Sequence, residues 1–187
     1  MHADLHPYVT GHPNDMVVDR DGRAYVGNFG CDLMGGGDVT TTNLLRVDPD
    51  GTVTEVATDL YFPNGSVITE DGVLLVDETL GNRVSAFDLN AEGSLGPRRD
   101  WAKFGEPPTA TALMEAIGQS VVAPDGCGLD ADGALWNADA INGRCLRVRE
   151  GGKILDEVSL GPGVFACMLG GSDGRASGGH GRRPPRR

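Results

Sequence analysis

Short hydrophobic runs alternate with Asp-Gly turns along most of the chain. Apolar runs within residues 15–19 and 23–27 flank Asp21-Gly22, and the same arrangement recurs around Asp71-Gly72 and Asp132-Gly133. Runs of this length joined by Asp-Gly are typical of β-hairpins, because glycine accepts the positive φ angle of a tight turn. The pattern predicts a hairpin at each of the three places.

A second hairpin is predicted after each first one, and no long amphipathic helical pattern competes with these strands. Two successive hairpins form a four-stranded antiparallel unit of the kind that builds a propeller blade. The second hairpins comprise residues 44–56, the strand 83–87 with a turn near Glu92-Gly93, and residues 145–157.

The turn aspartates repeat at a nearly regular distance. Asp21, Asp71, Asp132 and Asp173 lie 50, 61 and 41 residues apart, close to the roughly 40 to 50 residues of a propeller blade. The predicted fold class is therefore all-β, a segment of a β-propeller with about three and a half blades of four antiparallel strands. Closed propellers have about 4 to 8 blades.

The end of the chain departs from the repeat. Residues 165–174 open a fourth unit, but 175–187 are rich in Arg, Gly and Pro, which favour neither a second strand nor a packed core. We expect residues 1–174 to form the partial propeller and 175–187 to be disordered. Two inserts lengthen the earlier units: a Gly-rich segment at 28–42, and 105–123, where 110–117 are expected to form a short helix.

Composition and charge exclude several functional classes. The chain is 39% hydrophobic and 23% charged, with a formal net charge of -11, which is typical of a globular domain and argues against binding to nucleic acid. The sequence contains neither an apolar run long enough to cross a membrane nor a basic start followed by an apolar stretch. We expect a cytoplasmic protein without a membrane partner.

The four cysteines form no recognisable metal or redox motif. Cys31, Cys127, Cys145 and Cys167 are far apart, without a Cys-x-x-Cys pair, so we expect buried small hydrophobic residues in a reducing compartment. A nucleophilic Cys127 is the less favoured alternative, because no histidine lies near it in the sequence.

A Pro-Asn or Pro-Asp pair precedes each of the first hairpins. Asn14, Asn64 and Asp125 are equivalent in the repeat, and the inner strands of a propeller bring such residues together at the axis. One carboxylate with amide oxygens suits Ca²⁺ or Mg²⁺ and is acceptable to Mn²⁺ or Zn²⁺. The fourth equivalent position is Ala166, which offers no ligand. The spacing supports turn capping by these Asn and Asp residues equally well.

Three motifs in order also carry a resemblance to a known family. PNDMVVDRDGR at 13–23, FPNGS at 62–66 and APDGCGLD at 123–130 resemble the gluconolactonase-type family that includes senescence marker protein (regucalcin) and luciferin-regenerating enzyme. The resemblance extends over residues 1–174. It implies a six-bladed propeller with one divalent cation on its axis, Ca²⁺ before Zn²⁺, Mg²⁺ or Mn²⁺, and hydrolysis of sugar lactones.

The resemblance also assigns roles to individual residues. It implies that Asn64 and Asp125 bind the metal, that Asp125 is also the general base, and that Asn14 contacts substrate or metal-bound water. His12 stands where some members carry an arginine, and is expected to face the substrate; an ordinary loop histidine without a role in the site is the alternative. The family's remaining ligand, a glutamate from a blade that would precede Met1, has no counterpart here.

The predicted function is thus metal-dependent opening of a small sugar lactone by water. The alternatives are an inactive fragment and a propeller that binds small molecules without catalysis. Self-association through the open edges of the partial propeller is a further expectation.

Overall fold

The computed structural model describes residues 2–170 and the backbone of residues 176–181. Its strands form three antiparallel sheets of four strands and one of two, each sheet ordered as the chain runs. Blade 1 comprises β1 (Pro13–Val18), β2 (Ala24–Asn28), β3 (Thr42–Val47) and β4 (Val53–Leu60). Blade 2 comprises β5 (Pro63–Ile68), β6 (Val73–Glu78), β7 (Arg83–Asp88) and β8 (Arg99–Lys103).

Blade 3 and a half-blade complete the described part of the chain. Blade 3 comprises β9 (Pro124–Leu129), β10 (Leu135–Asp139), β11 (Arg144–Arg149) and β12 (Lys153–Ser159), and the half-blade comprises β13 (Val164–Gly170) and β14 (Ala176–Gly181). A 3₁₀ turn spans His6–Tyr8, and the helix α1 spans Leu113–Gly118. The predicted all-β architecture of three blades and a half is confirmed, and so is a short helix in the second insert.

The Asp-Gly turns form as expected and are reinforced by side chains. Gly22, Gly72 and Gly133 have φ angles of 82°, 83° and 76°, which glycine adopts without the steric cost of a side chain. In blade 3, Asp130 Oδ1 accepts backbone hydrogen bonds from Asp132 at 2.9 Å and Ala134 at 3.0 Å. The carboxylate therefore closes the turn that the glycine permits.

The core lies between neighbouring blades. Tyr25 and Leu44 of blade 1 pack with Leu74 and Phe87 of blade 2, and a second cluster joins Leu75, Val84 and Trp101 of blade 2 to Leu135 and Leu146 of blade 3. A side chain at Gly65 of β5 would place its Cβ 2.2 Å from the Asp125 carbonyl oxygen of β9. The inner strands β5 and β9 are thus in backbone contact.

One expectation about the tail is wrong. Ala176–Gly181 forms β14 and pairs with β13 from Val164–Gly181 to Gly170–Ala176. Glycines keep both backbone groups needed for a ladder, and the prolines that lack a donor stand later, at positions 184 and 185. Residues 175 and 182–187 of the expected disordered tail lie outside the described residues.

Apolar side chains are exposed at both ends of the row of blades. Met16 and Val18 on β1 are 58% and 52% exposed, and Phe165 and Met168 on β13 are 48% and 76% exposed. Within residues 2–170 and 176–181, no helix has the length and apolar composition required to cross a bilayer.

Candidate functional site

Asn14, Asn64 and Asp125 are each the second residue of an inner strand, inside a β-bulge. The pairing of β1 with β2 skips one residue between Pro13 and Met16. The pairing of β5 with β6 skips one between Pro63 and Ser66. The same shift surrounds Asp125 in β9. A bulge turns a side chain away from the regular alternation of a strand. The sequence placed Asn14, Asn64 and Asp125 just before the strands, whereas the structure places them within the strands, at bulges.

The fourth position differs from the one predicted. In β13 the second residue is Phe165, and the ladder is shifted between Val164 and Ala166. A Cβ on Gly126 would lie 2.8 Å from the Cβ of Ala166, which makes Ala166 the counterpart of Gly126 rather than of Asp125. The inner strand β13 has seven residues, one more than β1, β5 and β9 with six each. Neither Phe165 nor Ala166 carries an oxygen ligand in its side chain.

Two buried carboxylates anchor the segments that lead into these bulges. Glu78 is fully buried at the end of β6, and its Oε2 accepts the Tyr61 amide at 2.8 Å. Asp139 holds the corresponding position in blade 3, where its Oδ1 accepts the Ala123 amide at 3.1 Å. Arginines of the third strands neutralise both acids: Arg83 Nε donates to Glu78 at 2.9 Å and Arg144 Nε donates to Asp139 at 2.9 Å.

A threonine hydroxyl joins the two proposed metal ligands. Asn64 is 5% exposed, and its Nδ2 donates to Thr79 Oγ1 at 3.0 Å. The same hydroxyl donates to the carbonyl oxygen of Pro124 at 2.7 Å, one residue before Asp125. Within the described chain, the Oδ1 atom of Asn64 accepts no side-chain or backbone hydrogen bond. The amide oxygen of Asn64 is therefore available to a ligand.

Asp125 carries a perturbed carboxyl group. Burial raises its pKa to about 7, and the charge of Asp15 acts in the same direction. The backbone amide of Gly126 and the side chain of Asn64 oppose the shift. A carboxyl group that loses hydration needs a cation or a proton as compensation, and this electrostatic demand is typical of functional sites.

The sequence did not identify a buried polar cluster beside Asp125. Asp77 is completely buried between blades 2 and 3, and burial raises its pKa well above the ordinary value. The nitrogen of the Asn137 amide, in the orientation that gives both groups a partner, donates to the two Asp77 carboxylate oxygens at 2.8 and 3.2 Å. The neighbouring Cys127 thiol acts in the opposite direction on the pKa of Asp77. The sequence signal for this buried cluster was the presence of two polar residues, Asp77 and Asn137, inside otherwise apolar strands.

Asn14 and His12 have a looser environment. Asn14 Nδ2 is buried and has no hydrogen-bond partner among the described residues. His12 is exposed, and the edge of its ring meets Phe29 with 6.2 Å between ring centroids. An unpartnered buried amide is costly unless a ligand satisfies it.

The cysteines carry thiols in apolar surroundings. Cys31, Cys145 and Cys167 are buried, Cys127 is partly buried, and all four are free. Burial raises the pKa of each thiol, so the reactive thiolate is disfavoured. This supports the structural interpretation of Cys127 over the nucleophilic one.

The donor set fits a hard divalent cation, although incompletely. Among residues 2–170 and 176–181, no three His, Cys, Asp or Glu side chains are grouped for metal binding. Asp125 provides one anionic carboxylate and Asn64 one unpartnered amide oxygen, which are ligand types that calcium accepts. The residues present thus supply part of a coordination sphere, and water or further protein ligands would complete it.

A cavity of about 900 Å³ lies away from these residues. Thr69, Trp101, Leu129 and Arg149 line it at the turn end of blades 2 and 3, whereas Asn64 and Asp125 begin their strands. Two charged residues on its wall are paired with residues outside it, Asp130 with Arg147 at 2.6 Å and Arg99 with Asp88 at 2.8 Å. The chemistry of the bulges, not the volume of a cavity, identifies the candidate site.

Comparison with known proteins agrees with this architecture. A pentonolactonase of Haloferax volcanii is 32% identical over 126 residues, 67% of this chain and 37% of the relative. A 6-deoxy-6-sulfogluconolactonase of Pseudomonas putida is 30% identical over 162 residues, 86% of this chain and 50% of the relative. The chain thus spans half, or less than half, of the length of these two relatives.

The fold is shared with a solved structure. The crystal structure of a calcium-binding protein, regucalcin, from Agrobacterium tumefaciens gives a TM-score of 0.69 at 22% identity, over 93% of this chain and 55% of that one. The predicted propeller-type fold is thereby confirmed. A model of the family described as the SMP-30/gluconolactonase/LRE-like region matches residues 3–176. The chain belongs to this family.

Proposed function

We propose that Asn64 and Asp125 bind a divalent cation, Ca²⁺ before Zn²⁺, Mg²⁺ or Mn²⁺, in a site that hydrolyses sugar lactones. The observation that carries the proposal is the pair of oxygen donors at matching bulges of β5 and β9, joined by Thr79. Two relatives are named as lactonases, and the solved regucalcin is described as calcium-binding. The donors are all hard oxygens, which favours calcium.

The chain's own residues have distinct roles in this proposal. A bound divalent cation would supply the positive charge that polarises a lactone carbonyl. Asp125 accepts a proton from the attacking water at its carboxylate while the oxygen of that water bonds to the carbonyl carbon. As the water oxygen bonds to that carbon, the C=O π electrons move to the carbonyl oxygen. The C=O bond then re-forms, the ring C–O bond breaks, and the ring oxygen takes the proton held by Asp125, giving the open hydroxy acid.

Asn14 and His12 are proposed to bind the substrate. Asn14 is partly buried and its Nδ2 lacks a partner among the described residues, so a hydroxyl group of a sugar that accepts from Nδ2 would remove the cost of leaving it unsatisfied. His12 is exposed beside Phe29 and would contact the part of the substrate that faces solvent.

Hydrolysis of a simple aldonolactone tests the proposal. We expect the purified chain to accelerate ring opening in the presence of Ca²⁺, and we expect both chelation and Asp125→Ala to abolish the acceleration. Asp50→Ala, at an exposed turn in blade 1, is the matched control and should leave the rate unchanged. An Asp125→Ala variant as active as the parent chain would contradict the proposal.

The same assay separates the rival interpretation. A propeller that binds small molecules without catalysis, or an inactive fragment, would show no ring opening at any calcium concentration. Binding of the lactone without its hydrolysis would favour the first alternative, and absence of both would favour the second.

Compartment and assembly complete the proposal. Four free thiols support the cytoplasm, because free cysteines persist in a reducing environment. The exposed Met16 and Val18 at one end and Phe165 and Met168 at the other support self-association, since propeller blades normally cover such faces. Sedimentation of the chain over a range of concentrations would test this, and a monomer throughout would contradict it.

A further inference from the structure

We propose that Thr79 is a positioning residue that fixes the Asn64 carboxamide for cation binding, an inference that rests on the proposed function. Thr79 follows β6 and is 7% exposed. Its hydroxyl group has hydrogen bonds to the strands of both proposed ligands, Asn64 in β5 and the Pro124 carbonyl that precedes Asp125 in β9. No other described side chain bonds to both strands in this way.

The protons of these two bonds determine the orientation of the amide. A threonine hydroxyl has one proton, and the Pro124 carbonyl can only accept, so that proton belongs to the 2.7 Å bond. Thr79 Oγ1 must then accept from the group 3.0 Å away on Asn64, which is therefore the NH₂. The Asn64 Oδ1 is left for the ligand, and a flipped amide would lose the bond to Thr79.

The equivalent positions in the other blades show that the hydroxyl is not needed to build a blade. Thr79 donates its backbone amide to Phe62, Phe29 donates to His12, and Ala140 donates to Ala123, at 3.1, 3.1 and 3.0 Å. The three residues thus make the same backbone contact, but phenylalanine and alanine lack a hydroxyl. The hydroxyl occurs at the one position between the strands of Asn64 and Asp125.

The bridge also fixes the distance between the two ligand strands. Gly65, the residue after Asn64, approaches the Asp125 carbonyl so closely that a Cβ would lie 2.2 Å from its oxygen. The bond from Thr79 to Pro124 crosses the same boundary one residue earlier. Together they hold the amide oxygen and the carboxylate on adjacent backbones before a cation arrives, which lowers the cost of binding.

Calcium titration calorimetry on four versions of the chain tests the inference. Thr79→Val keeps the shape and removes both hydrogen bonds, and we expect its calcium affinity to fall by about 10-fold or more. Thr79→Ser restores the hydroxyl and should bind nearly as tightly as the parent chain. Thr40→Val removes a similar hydroxyl bond, from Thr40 Oγ1 to the Gly30 carbonyl at 2.6 Å, away from the site, and should not change the affinity.

The side-chain amide of Asn64 provides a readout that does not need metal. In ¹⁵N-labelled chain with chelator, the Asn64 NH₂ signals, identified by their loss in Asn64→Ser, should exchange slowly with water in the parent and in Thr79→Ser. They should exchange rapidly in Thr79→Val. A variant that is merely destabilised would instead alter amide signals throughout the protein.

The outcomes distinguish this inference from the proposed function. Parent and Thr79→Val chains that bind calcium equally would overturn the positioning role and leave the metal site intact. A parent chain that binds no calcium while its Asn64 amide is protected would contradict the metal site of the proposed function. Loss of affinity and of protection in Thr79→Val, with recovery of both in Thr79→Ser, would support the inference.

Discussion

Blade 1 carries the same motif as blades 2 and 3, but the side chains that hold the motif in place differ. Asn64 lies between Thr79 and a segment anchored by Glu78, and Asp125 follows a segment anchored by Asp139. In blade 1 the counterpart of these acids is Asn28, whose amide bonds to Asn43 and whose Oδ1 accepts from the Gly30 amide. Asn28 thus organises the loop after its strand, not the segment before Asn14.

The difference separates two kinds of site residue. A proposed ligand that is held by buried charge and by a bridging hydroxyl would be organised before a cation binds, whereas the Nδ2 of Asn14 has no partner among the described residues. We infer that the middle blades provide the fixed part of the site and that blade 1 provides the part that adapts to the substrate.

Removing the Glu78 carboxylate should cause the largest loss of stability. Glu78→Ala leaves Arg83 and the Tyr61 amide without their acceptor in a buried region. Breaking such a pair costs about 3 to 5 kcal/mol, measured as the free energy of unfolding in urea. Glu106→Ala, which removes an exposed pair with Lys103, should cost less than about 1 kcal/mol. Equal losses in the two variants would contradict the anchoring role.

A methyl group between the ligand strands should have the next largest effect. Gly65→Ala forces β5 away from the Asp125 carbonyl, and overpacking of this kind costs about 1 to 3 kcal/mol. Gly128→Ala, on β9, meets no atom within 4 Å and is the matched control. Calcium affinity should fall in Gly65→Ala and not in Gly128→Ala. Unchanged affinity in Gly65→Ala would show that the distance between β5 and β9 does not affect calcium binding.

Asp77→Asn should change the pH dependence of stability. The folded-state pKa of Asp77 is raised by burial and by the charges of Asp125 and Asp15, against the Cys127 thiol. Because this pKa is higher in the folded than in the unfolded state, the free energy of unfolding is highest below the unfolded pKa of about 3.9. Between the unfolded and the folded pKa it falls by about 1.4 kcal/mol per pH unit.

The measurement is urea unfolding at pH 4 to 7. The Asp77→Asn variant should gain on the parent chain as the pH rises, while both retain the similar decline caused by the raised pKa of Asp125. A stability difference that does not depend on pH would contradict the assignment.

Substitution at the open face of blade 1 should have the smallest effect. Met16→Thr changes a side chain that is 58% exposed, so its effect on the free energy of unfolding should stay within about 0.5 kcal/mol. Leu74→Ala, in the core between blades 1 and 2, should cost about 2 to 5 kcal/mol. That limit applies to the dilute protein, and a larger loss at Met16 in the concentrated protein would support the self-association proposed for this face.

Local turn chemistry made the blades predictable from the sequence. Asp-Gly turns and apolar runs determine the hairpins, and their spacing determines the four-stranded units. The sequence does not predict β14, because both glycine and proline are rare in strands and this segment is rich in glycine. Glycine, unlike proline, retains the amide donor that a ladder needs. The sequence does not predict the Phe165 position, because β13 is one residue longer than the other inner strands and spacing alone does not show where a strand is lengthened.

The ligand candidates were predictable, but their support was not. Asn14, Asn64 and Asp125 share a motif, so repetition identifies them. Thr79, Asp77 and Asn137 act across the boundary between blades 2 and 3, and such contacts depend on how separate sheets pack. The bulges that turn the side chains are likewise a property of the pairing between strands.

Thermal unfolding with chelator and then with calcium shows whether Asn64 and Asp125 form a cation site. A ligand that binds the folded state alone raises the unfolding temperature, by about 2 to 4 °C per kcal/mol for a chain of this size. We predict a rise in Tm with calcium for the parent chain and none for Asp125→Ala. Equal responses of the two proteins, or no response of the parent, would contradict the proposed cation site.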